Sequence, residues 1–418
     1  MIGTTTFPVA RVRACFPSLS LRDAGAARVY ADNPAGTQVP QSVADAVARC
    51  LIETNANLGG AFRTSQAAQQ IYDAAHAAMA RFLGAASERE ITIGQSMTAL
   101  TFNFSRAIGR TLRSGDEIVV TRMDHDSNIS PWLMLAEDLG VTVRWVAFDP
   151  SSWVIEAEAL DAVLSPRTRV VALNYANNLT GSINDVRTLV ERIHAAGALA
   201  YVDAVQFAPH GLIDVAAIGA DAVVCSSYKF FGPHLGIAWM RESLLQELQA
   251  YKVRCATNAL PAKFELGTPQ VEAHAGLSAT IEYFEWLGSE LGSGGSARER
   301  IARAFEACVP YERELVSALI AGLKSVRGVQ IVGIDDPARY TRRVPTVSFI
   351  HDRKTPDEIA EALAERNLFV WSGHNFGYET VRQLRLDEEQ GVLRVGLAHY
   401  NTAEEVQRIV EAVAEVCA

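Results

Sequence analysis

Lys229 is the side chain of this sequence best suited to covalent chemistry with a carbonyl group. The chain holds only five lysines against 33 arginines, and an arginine cannot replace a lysine where an amine must lose its proton and attack a carbonyl. Lys229 comes shortly after the apolar run 222–225, and Asp203 ends an earlier apolar run, 199–202. An amine and a carboxylate therefore stand at the ends of two successive strand-like segments.

This pairing indicates a pyridoxal phosphate site. In such a site a lysine forms a Schiff base with the cofactor, and a carboxylate keeps the pyridinium nitrogen protonated. Tyr228 and Phe230 flank Lys229, and aromatic surroundings suit a desolvated amine with a lowered pKa. A surface lysine is the alternative interpretation of the same residue.

Two further polar residues follow predicted strands. His125 comes after the apolar run 117–121, and Asn178 comes after the run 168–174. Ligands of open α/β sheets bind at the carboxyl ends of the strands, so we expect both residues near Lys229 and Asp203. Taken singly, His125 can be a solvated loop residue and Asp203 a helix cap, but the set together favours a cofactor site.

A candidate phosphate site lies at residues 94–98, Gly-Gln-Ser-Met-Thr, which open a predicted helix. The N-terminus of a helix offers unpaired backbone N–H groups and a dipole that favours negative charge. Ser96 by itself is most simply explained as the N-cap of this helix. The two roles are compatible.

Apolar strand-like runs alternate with helical segments from about residue 90 onward. This alternation is typical of a βαβ-built, mostly parallel sheet that is buried on both faces, and it predicts the α/β fold class. The predicted strands are 117–121, 142–148, 168–174, 199–202, 221–225 and 235–240.

A segment rich in Gly and Ser, 288–296, follows the predicted helix 270–287 and is the predicted hinge. We predict an N-terminal arm over 1–30 that packs on the small domain, a large cofactor-binding domain over 31–288 and a small C-terminal α+β domain over 289–418. The predicted elements of the small domain are helices at 298–325, 356–365 and 402–417 and strands at 329–333, 344–350, 368–371 and 392–397.

Composition excludes several classes of function. The 418 residues carry a net charge of −10 without a cluster of basic and aromatic residues, so nucleic acid is not an expected partner. No apolar run approaches the ~20 residues of a membrane span, and the first residues do not resemble a secretory signal. Six scattered cysteines predict reduced thiols in the cytoplasm and no metal site.

The motifs resemble those of the class V aminotransferase family, within the fold-type I pyridoxal phosphate enzymes. The resemblance is closest to the cysteine desulfurase and selenocysteine lyase branch, and it extends from Tyr30 to Val406. It rests on Asp-x-x-Gln at 203–206, Ser-x-x-Lys at 226–229 and Phe-Glu-Leu-Gly-Thr-Pro at 264–269. It implies a large domain with a mostly parallel, seven-stranded type of sheet and a smaller C-terminal domain.

The resemblance also implies a role for each matching residue. Lys229 corresponds to the Schiff-base lysine, Asp203 to the partner of the pyridinium nitrogen and Gln206 to the residue that bonds the ring hydroxyl. His125 corresponds to the histidine that stacks on the cofactor ring and relays protons, and Asn178 to a residue near the ring hydroxyl and the substrate.

The phosphate and carboxylate ligands follow from the same correspondence. Ser96, with the backbone around Gln95 and Met97, and Ser226 match the phosphate site. Thr268 matches a phosphate ligand that a neighbouring subunit supplies, which implies a homodimer with a shared active site. Arg394 matches the arginine that binds the substrate α-carboxylate, a task that suits a bidentate guanidinium.

The sequence departs from the desulfurase pattern at three places. The phosphate motif, usually Gly-Thr-Thr, reads Gly-Gln-Ser at 94–96, and Tyr228 replaces the histidine that usually precedes the lysine. In the loop 371–378, Phe376 stands where desulfurases carry the cysteine that accepts sulfur as a persulfide. A phenyl ring cannot accept sulfur, so we expect a desulfurase-like enzyme without the persulfide step.

The resemblance therefore implies an enzyme that acts on an amino acid through an external aldimine and a Cα carbanion. The favoured reaction is β-elimination at a C–S or C–Se bond. The alternatives are an aminotransferase, an epimerase or decarboxylative C–C bond enzyme, and a catalytically retired binding protein of the same fold. Trp371, His374, Phe376 and Tyr378 are predicted to line the substrate pocket, which suggests a side chain larger or less polar than that of cysteine. Packing beneath the loop is the alternative interpretation of these four residues.

Overall fold

The computed structural model describes residues 7–418, so the first six residues of the predicted N-terminal arm lie outside the described part of the chain. Its helices, α1 to α14 in chain order, are Val9–Ala14, Gln41–Glu53, Arg63–Leu83, Met97–Gly109, Ser130–Leu139, Ala157–Asp161, Val186–Ala195, Val215–Ile218, Glu242–Glu247, Val271–Leu291, Ala297–Ser325, Pro356–Ala364, Tyr378–Gln383 and Ala403–Cys417.

The strands belong to one large sheet, one smaller sheet and two short pairs. The strands, β1 to β15 in chain order, are Arg22–Asp23, Ala26–Ala27, Val29–Tyr30, Ile91–Gly94, Glu117–Thr121, Thr142–Val146, Thr168–Asn174, Leu199–Asp203, Ala222–Ser226, Gly236–Met240, Val329–Val332, Thr346–His351, Leu368–Phe369, Trp371–Gly373 and Val392–Gly396.

The large sheet has seven strands in the order β4-β10-β9-β8-β7-β5-β6. The five strands from β9 to β6 are parallel to their neighbours, and β10 is antiparallel to both β4 and β9. Apolar side chains on both faces of the sheet explain this arrangement, since one face packs on α3, α7 and α10 and the other on α4, α5 and α9. The predicted α/β class and mostly parallel sheet are confirmed.

The smaller sheet has four strands in the order β11-β12-β15-β14, all antiparallel. Helices α11, α12 and α14 contribute apolar residues to the core that this sheet covers. The predicted strand 368–371 is wrong as a single element, because it divides at Val370. Leu368–Phe369 pairs with Val29–Tyr30, and Trp371–Gly373 pairs with β15.

The predicted hinge at 288–296 is too long, because α10 continues to Leu291 and includes Gly288. Gly288 is not a helix breaker here but a contact point between two helices. A Cβ atom at this position would overlap the carbonyl oxygen of Arg300 in α11, so only glycine permits the close approach. The connection between the helices is confined to residues 292–296.

Helix α11 is 29 residues long and takes part in both cores. Ile301 and Phe305, near its start, belong to the core beneath the large sheet. Leu315 and Leu319, further along, belong to the core of the small sheet. Pro310 lies inside the helix between these two stretches.

The N-terminal segment contacts both parts of the molecule. Phe16 packs edge-on against Phe231, Tyr283 and Tyr400, while strand β3 pairs with β13. The division of the chain at residues 30 and 288 stays a prediction. In residues 7–418 no helix has the length and apolar character that crossing a membrane requires.

Candidate active site

A cavity of about 510 Å³ lies where the carboxyl ends of the large-sheet strands face the small sheet. Eleven of the residues predicted for the site line this one cavity. They are Ser96, Met97, His125, Asn178, Asp203, Gln206, Ser226, Lys229, Trp371, Phe376 and Arg394.

Lys229 ends a short helical turn, Ser227–Lys229, that directly follows β9. Its Nζ donates a hydrogen bond to the carbonyl oxygen of Pro34 and lies 4.9 Å from the centroid of the Tyr228 ring. Burial and the nearby positive charge of Arg394 lower the pKa of the amine to about 7, although Asp203 opposes this effect. An amine with this pKa is largely neutral at slightly alkaline pH and is therefore a competent nucleophile.

Asp203 is the last residue of β8 and is buried. Burial raises the pKa of this carboxyl to about 6, while a hydrogen bond from the Val205 backbone N–H (2.8 Å) and the charge of Lys229 favour the ionised form. The carboxylate is thus mainly ionised at neutral pH. One turn further on, Gln206 donates a hydrogen bond to Thr346 Oγ1 (3.0 Å) on the small sheet.

His125 follows β5 and caps the short turn Asp126–Asn128. Its Nδ1 accepts a hydrogen bond from the backbone N–H of Ser127 (3.1 Å), so this nitrogen carries no proton. Burial lowers the pKa of His125 to about 3, and the positive charges of Lys229 and Arg394 add to the effect. The imidazole is therefore neutral, with its proton on Nε2.

Ser96 caps the N-terminus of α4, because its side chain accepts a hydrogen bond from the backbone N–H of Ala99 (3.1 Å). Gly236 of β10 lies directly against this turn, where a Cβ atom would overlap the backbone of Ser96 and Met97. The start of α4 is therefore held close to the end of the sheet beside Ser226. It offers the positive end of a helix to an anion.

Arg394 lies in the middle of β15 and is buried. Its Nη1 donates to the backbone oxygen of Asn178 (3.0 Å). Burial lowers the pKa of the guanidinium to about 10, so it stays charged at neutral pH. Within residues 7–418, Arg394 Nε and Asn178 Oδ1 are buried without a hydrogen-bond partner, and this leaves a donor and an acceptor for a polar ligand.

Four predicted site residues do not line this cavity: Gln95, Thr268, His374 and Tyr378. Gln95 and Thr268 are exposed, and Thr268 is the residue predicted to serve a neighbouring subunit. His374 is half-buried, and its Nδ1 accepts a hydrogen bond from the backbone N–H of Phe376 (3.0 Å). Tyr378 is the first residue of α13.

Sequence reasoning assigned no role to several residues that the fold brings to the site. Pro34, Phe102 and Pro131 line the cavity. Asp32 has a buried carboxylate oxygen with no partner among the described residues, and its charge raises the pKa of Lys229. Asp32 and Pro34 come directly after Tyr30, where the family resemblance begins, so their place in that stretch was the available signal.

Comparison with known proteins identifies the class to which this fold and site belong. The sequence matches the class V aminotransferase family over residues 29–409, and the chain belongs to that family. The chain is therefore a cysteine desulfurase-like enzyme that uses pyridoxal phosphate.

Relatives over the full length differ in their described activities. An aminotransferase-like protein of Gibberella zeae is 32% identical, over 98% of this chain and 99% of the relative. A probable cysteine desulfurase of Mycobacterium leprae is 30% identical, over 99% and 97%. The solved apo structure of a cysteine desulfurase from Thermococcus onnurineus superimposes with a TM-score of 0.84 at 25% identity, over 93% of this chain and 94% of the other.

The residues of the cavity fit pyridoxal phosphate. The cavity brings together an amine that is largely neutral, a buried carboxylate and a helix N-terminus, which are complementary to the aldehyde, the ring nitrogen and the phosphate of this cofactor. Asn178 Oδ1, which has no partner within residues 7–418, is available for a further polar contact.

Proposed function

We propose that this protein is a pyridoxal phosphate-dependent lyase that cleaves a C–S or C–Se bond at Cβ of an amino acid without forming a persulfide on one of its own cysteines. The net reaction takes up one water and releases the thiol or selenol, ammonia and pyruvate. The observation that carries the proposal is the side chain at position 376. A phenyl ring lines the cavity there, and none of the six cysteines is a lining residue.

Arg394 is proposed to bind the α-carboxylate of the substrate. Its unpaired Nε and its charge at neutral pH suit a carboxylate, and a charge-assisted hydrogen bond is roughly twice as strong as a neutral one. Because Arg394 is fixed within β15, a bound carboxylate would set which Cα bond faces the amine of Lys229.

Lys229 is proposed to move the proton of Cα. With a pKa near 7, its Nζ can take up a proton and return it near neutral pH, which is the range in which a general base is most effective. Pyridoxal phosphate, when bound, supplies an aldehyde for the amine and a ring that withdraws the negative charge developing at Cα. Asp203 holds the positive charge at the ring nitrogen on which this withdrawal depends.

His125 and the α4 N-terminus are proposed to hold the cofactor. The neutral imidazole of His125 adds no positive charge beside Lys229 and offers a flat face for stacking. The start of α4, with Ser96 and Ser226 close by, is proposed to bind the phosphate.

A homodimer with a shared site is proposed as the assembly. Ile52, Phe62 and Leu266 are exposed at 83%, 60% and 55%, and a subunit interface that included them would remove this apolar surface from water. Leu266 lies two residues from Thr268, the proposed phosphate ligand for a second subunit.

Product analysis tests the reaction. The purified holoenzyme is incubated with cysteine, selenocysteine and S-substituted cysteines, and pyruvate, ammonia and alanine are measured with and without an added keto acid. Elimination predicts equal amounts of pyruvate and ammonia without a keto acid. The Lys229→Ala variant should give no product and no borohydride-fixed cofactor. Alanine in place of pyruvate, or a persulfide on the enzyme, would contradict the proposal.

Transamination is the second candidate, because the relative from Gibberella zeae is described as aminotransferase-like. It requires a keto acid as the acceptor of the amino group. Product formation only when a keto acid is present would therefore replace elimination with transamination.

A further inference from the structure

We propose that Phe376 is a positioning residue that fixes the imidazole of His125 in the orientation needed to cover the cofactor ring. This inference rests on the proposed function, in which His125 stacks on pyridoxal phosphate. It assigns a role to the side chain that stands where desulfurases carry a cysteine.

The two rings are stacked. Their centroids are 5.3 Å apart, and the ring planes meet at 26°. Phe376 is 63% exposed, so it is not a member of the hydrophobic core, and its ring contributes little to burial. An exposed phenyl group held over a half-buried imidazole that lines the same cavity is better explained by the contact with that imidazole.

The backbone of the loop is held in an unusual conformation that keeps the phenyl group in place. Asn375 and Phe376 have φ angles of 51° and 57°, in the left-handed region that residues other than glycine rarely adopt. Such conformations persist only where the surrounding structure enforces them.

Hydrogen bonds from both sides of the cavity enforce this conformation. The backbone N–H of Asp126, next to His125, donates to the Phe376 carbonyl (2.8 Å). Asn178 Nδ2 donates to the Asn375 carbonyl (2.6 Å). The loop is therefore tied to the residues that neighbour the cofactor site and not to a distant surface.

The remaining contacts of His125 explain why such a restraint is needed. Its Nδ1 is bonded by the backbone N–H of Ser127 (3.1 Å) and lies 2.8 Å from the Ser127 hydroxyl. Both contacts involve the same edge of the imidazole, so they do not by themselves fix the tilt of its two faces. Phe376 covers one face, and the other face remains for the cofactor.

A matched pair of variants separates stacking from simple bulk. Phe376→Leu keeps an apolar side chain but removes the flat ring, whereas Phe376→Tyr keeps the ring. Tyr378→Leu is the control, because it removes an aromatic ring only two residues away, at the start of α13, and this ring does not line the cavity. All three variants are compared with the wild type as full-length protein.

The first readout is NMR of the histidine ring protons in the protein without cofactor, where stacking on a phenyl group moves the His125 signals upfield. Phe376→Leu should remove this shift, and Phe376→Tyr and Tyr378→Leu should retain it. The second readout is the dissociation rate of the cofactor, which Phe376→Leu should raise by about two- to tenfold, as expected from the loss of one aromatic contact.

Two results would overturn the inference. The first is a Phe376→Leu variant with the His125 signals and the cofactor dissociation rate of the wild type. The second is an equal change of these two quantities in Phe376→Leu and Phe376→Tyr. The Lys229→Ala variant keeps this failure distinct from a failure of the proposed function. If Lys229→Ala still yields borohydride-fixed cofactor, the proposed function fails. If it loses the fixed cofactor while both Phe376 variants resemble the wild type, only the role of Phe376 fails.

Discussion

The acidity of Lys229 can be changed in opposite directions by two substitutions in its cavity. Arg394 lowers the pKa of this amine, and Asp203 raises it. Replacing Arg394 with Gln removes a repulsive charge, so the protonated amine becomes more favourable and the pKa rises. Replacing Asp203 with Asn removes an attractive charge, so the pKa falls.

The expected size of these pKa changes follows from the pKa of Lys229 and from the charges beside it. With a pKa of about 7, about three quarters of the Lys229 side chains are neutral at about pH 7.5, against about 0.1% for an unperturbed lysine. A charge within ~4–6 Å changes a pKa by about 1–3 units. Because the two changes have opposite signs, we expect the pKa values of Lys229 in the two variants to differ by at least about two pH units.

Competitive acetylation measures this pKa without relying on the cofactor. The protein freed of cofactor is treated with trace acetic anhydride at a series of pH values, and the peptide containing Lys229 is quantified by mass spectrometry. The exposed Lys354 is the internal reference. A wild-type midpoint near that of a free lysine, or a change in the same direction in both variants, would refute the electrostatic account of the site.

Three further substitutions have predictable effects on stability or on substrate binding. Glu265→Ala should lower the free energy of unfolding in urea by about 3–5 kcal/mol, because it leaves the buried His76 without its carboxylate partner (2.7 Å). Gly288→Ala should cost about 1–3 kcal/mol through overpacking against α11, while Ser289→Ala, on the exposed side of the same helix, should not. Arg394→Lys should raise KM for amino acids by about ten- to hundredfold and change kcat less, since it loses a charge-assisted bond worth about 1.5–3 kcal/mol. An unchanged KM would argue against carboxylate binding by this residue.

The sequence predicts six of the seven strands of the large sheet, because most of them are short apolar runs that are largely buried. Strand β7, predicted and observed at 168–174, is an example. The sequence does not predict β4, and the edge strand β6 is partly exposed. The position of the candidate site could be predicted because of the same strand pattern. Polar residues such as Asp203 and Lys229 follow the ends of neighbouring parallel strands, and the fold must bring those ends together.

What the sequence does not predict depends on contacts between distant segments. The contact of Lys229 with the Pro34 carbonyl joins residues 195 positions apart. Gly288 has the local character of a helix breaker, but its role is set by the approach of Arg300 from the next helix. The stacking of Phe376 on His125 requires the left-handed backbone of the loop, and no periodic pattern encodes that conformation.

Pro310 has a mechanical consequence for the molecule. Proline has no N–H to donate, so the backbone hydrogen bond that would join this residue to the preceding turn is missing. The helix is anchored on either side of that point, by Phe305 in one core and Leu315 in the other. Bending is therefore easiest at Pro310, and we expect any widening of the space between Lys229 and Arg394 to occur as a rotation about this turn.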